Sequence, residues 1–281
     1  MLMAHAHLFM NGLDVRHLRS GVVSPALVVL LCGVLVIGGR SSLADELSAG
    51  SGLITPASQR TVRFGFVVEN TTGRVIDGAR VGVFIPVKQA AGQDCCEAVA
   101  SNYPTETIRD AQGNQALGFV FEYLPPHGTR KIDVSATLTI TADPLPAPEP
   151  DADRWLGAGP LIQADHPRIE QQARQLGGNN PLETARRIHD WISKHSEYSG
   201  YLRDARGALD ALEQRRGDCT EYMYLFIALA RANGIPARGM AGYLVERDAV
   251  IRADTFHNWA EFCADGAWRI ADPQRGGRRT A

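Results

Sequence analysis

Between residues 55 and 142 the chain alternates apolar and polar positions. In "TVRFGFVVEN", Val62, Phe64, Phe66 and Val68 alternate with smaller or polar neighbours, and in "RKIDVSATLTI" Ile132, Val134, Ala136, Leu138 and Ile140 do the same. "ARVGVFIPV" and "QALGFVFEYL" are rich in β-branched and aromatic residues, while "ENTTGR", "DAQGNQ" and "PPHGTR" carry turn chemistry between the runs. A period of two punctuated by Gly, Asn and Pro predicts short antiparallel strands. With no helical pattern between them, the strands predict an all-β immunoglobulin-like sandwich over residues 45–145. Asn70-Thr71-Thr72 has the form of a glycosylation sequon and reads as a turn at this place.

The pattern then changes period. "ADPLPAPEPDAD", residues 142–153, is proline-rich and acidic and marks a stiff linker, placed at residues 146–165. "HPRIEQQARQL" predicts a helix with Pro167 in its first turn and Gly177 past its end. "NNPLETARRIHDWISKH" predicts another, with Asn180 as cap, Pro181 in the first turn and Glu183 at the capping-box position. Its Leu182, Ala185, Ile188 and Ile192 form a core face, and Trp191 beside them reads as packing. A shorter helix, "GALDALEQR", leads to "RRGDCTEYMYLFIALARANGIPAR". Three strand-like runs follow: "ARGMAGYLVE", "HNWAEFCA" and "AWRIAD". Helices first and antiparallel strands afterward predict an α+β domain over residues 166–281.

The first 44 residues have a separate character. Arg16 and Arg19 precede the apolar run at residues 22–39, and Ser42 and Ala44 sit where a small-residue cleavage site would lie. This predicts a signal peptide, with an uncleaved signal anchor as the alternative, so a membrane partner is expected only in the second case. Export places the mature chain in a periplasmic or extracellular compartment. A net charge of −2, with no basic block beyond the short "RGGRR", excludes a nucleic-acid footprint. Excluding Cys32, the cysteines are Cys95, Cys96, Cys219 and Cys263. They match no zinc spacing, so no metal and no cofactor is expected. A bond between adjacent Cys95 and Cys96 would be strained.

Cys219 sits where a helix should start. Asp218 can cap that helix, Glu221 can complete the box and Gly234 can end it. The thiol then faces free backbone amides and the positive end of the helix dipole, which favour thiolate over thiol and could hold a developing oxyanion. Met223, Phe226 and Ala230 continue from it at helical spacing, so a buried structural cysteine fits equally well on local features. A nucleophile also needs a base and an orienting group. His257 heads the strand "HNWAEF", and Asp272 ends the strand "WRIAD" after the turn "CADGA". If those strands pair, Asp272 comes close to His257 and can fix its tautomer.

"GDCTEYMYLFIALARANGIPARGMAGY" with "FHNWAEFCADGAWRIADP" resembles the catalytic core of the transglutaminase-like superfamily, relatives of the papain-type cysteine peptidases. "DWISKHSEY" resembles the helix upstream of that family's cysteine. The resemblance covers roughly residues 160 to 273 and implies Cys219 as nucleophile, His257 as base and Asp272 as orienting group. It also implies acyl transfer from a peptide or protein substrate through a thioester. Water as acceptor gives a peptidase or amidase, the favoured expectation, with the β-sandwich orienting or recruiting substrate. A lysine amine as acceptor gives a cross-linking transglutaminase with the same triad, and a catalytically silent peptide-binding protein is the third possibility. The Cys219 amide is one expected oxyanion donor; Tyr198 and Tyr201 are candidates for the second. The chain ends nine residues after Asp272 in a polar tail, which predicts an open sheet edge beyond that strand if the domain stops there.

Overall fold

The computed structural model describes residues 58–110, 113–140, 145–146, 153–245 and 247–276, with a two-residue strand at Val29–Leu30. The rest of the segment read as a signal peptide or anchor, Cys32, most of the proline-rich stretch and the last five residues lie outside the described residues, as do the side chains of residues 95–98. Among the described residues, no helix is long and apolar enough to cross a membrane.

The N-terminal half is built from strands β1 (Ser58–Glu69), β2 (Ile76–Ile85), β3 (Gln93–Ser101), β4 (Glu106–Arg109), β5 (Gln115–Leu124) and β6 (Thr129–Ile140). β1, β6 and β3 form one antiparallel sheet; β2, β5 and β4 form the other. Inward residues of both sheets share one core, including Val62, Phe64, Phe66, Val81, Phe119, Val134 and Leu138. The alternation in the sequence is this inward–outward alternation. Phe66 and Phe119 meet edge to face at 5.9 Å. Asn70 is buried in its turn: its Nδ2 donates to the carbonyls of Arg74, Leu124 and Pro125, and its Oδ1 accepts from the Thr72 amide and hydroxyl. The sequon is therefore a turn built by its own asparagine.

The C-terminal half runs through α1 (Pro167–Leu176), α2 (Pro181–His195), α3 (Ala208–Gln214) and α4 (Cys219–Ala232) to β7 (Ala237–Tyr243), β8 (Phe256–Ala264), β9 (Ala267–Ala271) and the short α5 (Pro273–Gly276). Every residue from Glu221 to Arg231 is buried, so α4 is the central helix and not an amphipathic surface one. Burying Leu225, Phe226, Ile227 and Leu229 contributes roughly 1.5–3 kcal/mol each. Asn180 caps α2 as its sequence predicts, accepting from the Glu183 amide. The returning Glu183 carboxylate takes the amide of Asn179, one residue earlier than a strict capping box requires. Trp191 packs against the core, stacks on His195 and lies under the Arg215 guanidinium, a packing role throughout.

β8 lies between β7 and β9 in an antiparallel sheet. Asp265 and Gly266 make the β8–β9 turn with φ of 54° and 71°, the two positive values that a tight Asp-Gly hairpin needs. The first two residues on the outer edge of β9, Ala267 and Trp268, pair with Leu145–Pro146, so the edge expected to be open is covered there from upstream. The two halves interlock. Tyr243 and Val245 enter the N-terminal core, and Ala249–Val250 pairs in parallel with β1 at Val62–Arg63.

Candidate active site

Cys219 is the first residue of α4, and its position follows from the residues around it. Asp218 takes the Thr220 amide on Oδ1 at 2.7 Å, and Glu221 returns Oε2 to the Asp218 amide at 3.1 Å, a complete capping box. Gly217 makes this possible, because a Cβ there would lie 2.3 Å from the Glu221 Cβ. The same two acids hold the preceding loop: Asp218 Oδ2 accepts from the Leu202 amide and Glu221 Oε1 from the Arg206 amide. Burial pushes Glu221 above the usual carboxylate range, although the Arg206 and Asp218 amides pull the other way. The Cys219 amide meets no protein acceptor among the described residues, as expected for the first N–H of a helix.

His257 opens the buried part of β8 and is 8% exposed. The pairing of β8 with β9, ending at Ala260 opposite Ala271, brings Asp272 alongside it. His257 Nε2 donates to Asp272 Oδ2 at 2.7 Å, and Cys219 is near enough to the ring to act on its charge. Burial alone would lower the proton affinity of this imidazole. The hydrogen bonds and charges of Asp272 and Cys219 reverse that and raise its pKa to about 9. The structure thus joins His257 to Asp272 by a hydrogen bond and places Cys219 near the same ring. Asp272 is held at the start of α5, where its carbonyl accepts from the amides of Arg275 and Gly276, and Ser193 of α2 donates to the Pro273 carbonyl at 2.6 Å.

Several residues at the site carried no sequence signal that was used. Asn258 follows His257 and donates from Nδ2 to the hydroxyl of Thr220, which follows Cys219, at 2.9 Å; this ties the two flanks together directly. Trp259 stacks beside His257, with ring centres 6.3 Å apart and planes at 21°. Glu261 is fully buried and meets Arg238, its register partner on β7. That last pair was findable: an acid on the strand face of His257 needs a cation, and the neighbouring strand supplies one. Tyr198 lies on a two-residue strand paired with Arg216–Gly217, just before the cysteine. Tyr198 is 42% exposed and Tyr201 73%, which places the Tyr201 side chain largely in solvent. The described residues hold no group of three or more His, Cys, Asp or Glu side chains suited to a metal. A cavity lined by Arg154, Trp155, Gly157, Pro160 and Arg231 lies at the other end of α4, about 18 Å along the helix from Cys219, and takes no part in this site.

Residues 170–273 match the family model of the transglutaminase-like superfamily. An uncharacterized protein of Haemophilus influenzae is 36% identical over 97 residues, covering 33% of this chain and 26% of its own length. An uncharacterized protein of Mycobacterium tuberculosis is 27% identical over 197 residues, covering 61% of this chain and 60% of its own. The chain therefore spans about a quarter and three-fifths of these relatives. The solved structure of a candidate cysteine protease from Cytophaga hutchinsonii superposes with a TM-score of 0.57 at 20% identity. That superposition covers 79% of this chain and 78% of the other, a likeness of fold.

Proposed function

We propose that this protein is an exported cysteine-dependent hydrolase of peptide or amide bonds, with Cys219 as nucleophile, His257 as acid and base and Asp272 as its orienting partner. The observation that carries the reading is an imidazole hydrogen-bonded to Asp272 Oδ2 and standing near a cysteine at a capped helix start. Asp272 occupies Nε2, which leaves Nδ1 for the sulfur. The thiolate attacks the substrate carbonyl carbon, and the Cys219 amide holds the resulting oxyanion. The imidazolium gives its proton to the leaving nitrogen, the C–N bond breaks and a thioester remains. Neutral His257 then takes a proton from water, whose oxygen attacks the thioester carbon. The C–S bond breaks, releasing a carboxylic acid product and restoring the thiolate–imidazolium pair. Export rests on the basic flank, apolar run and small-residue exit of residues 16–44. The N-terminal unit reads as an immunoglobulin-like sandwich on the strength of its two antiparallel sheets around one core.

Iodoacetamide tests the nucleophile. Cys219 should alkylate faster than a free thiol near neutral pH, and a rate no faster than the free thiol's removes the proposal. Ammonia release from a glutamine peptide without added amine supports hydrolysis. Release that requires an amine, with the amine incorporated, would make the protein a cross-linking enzyme instead.

A further inference from the structure

At Trp259 and Glu261, the face of β8 that also carries His257 is covered by a hairpin of the N-terminal β unit. Ala260 and Phe262 belong to the helical core around α4, whereas His257, Trp259 and Glu261 alternate onto the opposite face. Trp259, 1% exposed, packs with Ala90 and is flanked by Val87, Met240 and Ile270. Ala90 belongs to a tight hairpin in which Gln89–Ala90 pairs with Gln93–Asp94. The next residue of that hairpin, Ala91, donates its amide to Glu261 Oε1 at 2.8 Å. The other oxygen, Glu261 Oε2, accepts from Arg238 Nε and Nη2 at 2.9 and 2.7 Å, and the Arg238 guanidinium lies 4.2 Å over the Trp268 ring. A hairpin 170 residues upstream of Glu261 in sequence therefore grips β8 twice, through Trp259 and through Glu261.

From this we infer that Glu261 is a positioning residue that fastens the N-terminal β unit to the strand bearing His257, so that the hairpin is part of the active-site scaffold. The inference rests on the hydrolase reading above for its consequence in catalysis. A buried ion pair by itself gives little net stability compared with an apolar pair of the same size, so fold stability alone gives weak reason for an acid here. What the acid adds is direction: one carboxylate fixes both the neighbouring strand and a segment from the other half of the chain. The imidazole must keep its place against Asp272 and Cys219 to within about 0.5 Å for acid–base work. Trp259, held by the hairpin, is the ring stacked beside it.

The test uses Ala91→Pro in the full chain. Gly92 has φ of 77° and Ala91 is not among the positive-φ residues, so the two-residue loop has the type II arrangement, in which the first loop position accepts proline. The substitution removes the amide hydrogen and sets the proline Cδ in its place, so the Glu261 carboxylate loses this partner and is pushed off it, whereas Ala91→Gly keeps the contact. The readouts are the His257 titration followed by NMR and the Cys219 alkylation rate from pH 6 to pH 10. Ala91→Pro should lower the His257 pKa and slow alkylation about tenfold, while Ala91→Gly follows the wild type in both. Should the proline variant not fold, Glu261→Met with Arg238→Met removes the same acceptor while replacing the ion pair by apolar side chains, and should give the same two losses. A folded variant of either kind with an unchanged His257 titration and alkylation profile overturns the inference. If the wild-type thiol itself is slow, the hydrolase reading fails separately. The His257 titration still decides, since a positioning role requires it to move in Ala91→Pro and an inert contact does not.

Discussion

Replacing Asp272 by asparagine removes the charge that dominates the His257 environment while keeping the side chain's size. The ordinary imidazole value is 6.5 and the folded value is about 9. At 1.36 kcal/mol per pH unit, that gap corresponds to roughly 3 kcal/mol of stabilisation of the protonated ring. Burial opposes the rise and Cys219 shares in it, so roughly 3 kcal/mol sets the scale of what Asp272→Asn removes and is not its limit. A pKa raised by folding stabilises fully below the unfolded value, and the contribution disappears as pH rises through the folded one. The variant should therefore be less stable than wild type near pH 6.5, and the difference should shrink steadily toward pH 9.5. Urea unfolding at several pH values measures this, and NMR titration of the His257 ring should show it losing its proton well below 9. A stability gap that stays constant between pH 6.5 and pH 9.5, or a variant imidazole still titrating near 9, would refute the reasoning.

Other outcomes follow from single contacts. Asn258→Ala and Thr220→Val each break the tether across the site. Each should slow Cys219 alkylation, with a combined effect no larger than either alone, because both remove the same hydrogen bond worth about 1 kcal/mol; a fully additive double variant would deny the tether. Asn70→Ala strips the buried turn of its donors and should cost roughly 1–3 kcal/mol in urea unfolding, with alkylation unchanged in the folded protein. Phe226→Ala opens a hole between α4 and Phe262 and should cost about 3–5 kcal/mol, read as a lower unfolding midpoint.

The site was more legible in the sequence than the frame around it. Cys219, His257 and Asp272 could be read because each stands at the end of an element whose boundary has its own signal: a capping box, a strand start and a residue before proline. β1, β2, β5 and β6 were legible because one face of each is buried and the other wet. β4 was not, since all four of its residues are exposed and show no alternation. β3 was not either: its polar composition hides it, and a register shift between Cys95 and Ala98 breaks the period of two. The clamp of Ala91 on Glu261 uses a backbone amide, which any residue but proline supplies, so no side-chain pattern could announce it.

The two acids that start α4 have a consequence for how this protein can change. Asp218 and Glu221 anchor the Leu202 and Arg206 amides with the oxygens not spent on the helix. Between those anchors Arg203 and Asp204 are exposed and free to vary in side chain, whereas Ala205 packs on the core and positions 202 and 206 must keep a backbone N–H and so exclude proline. The surface beside the thiol can change at Arg203 and Asp204, and at the exposed Tyr198 and Tyr201 before them, without rebuilding the thiol's own setting. A change that removes either acid would alter that loop and the setting of the Cys219 thiol in the same step.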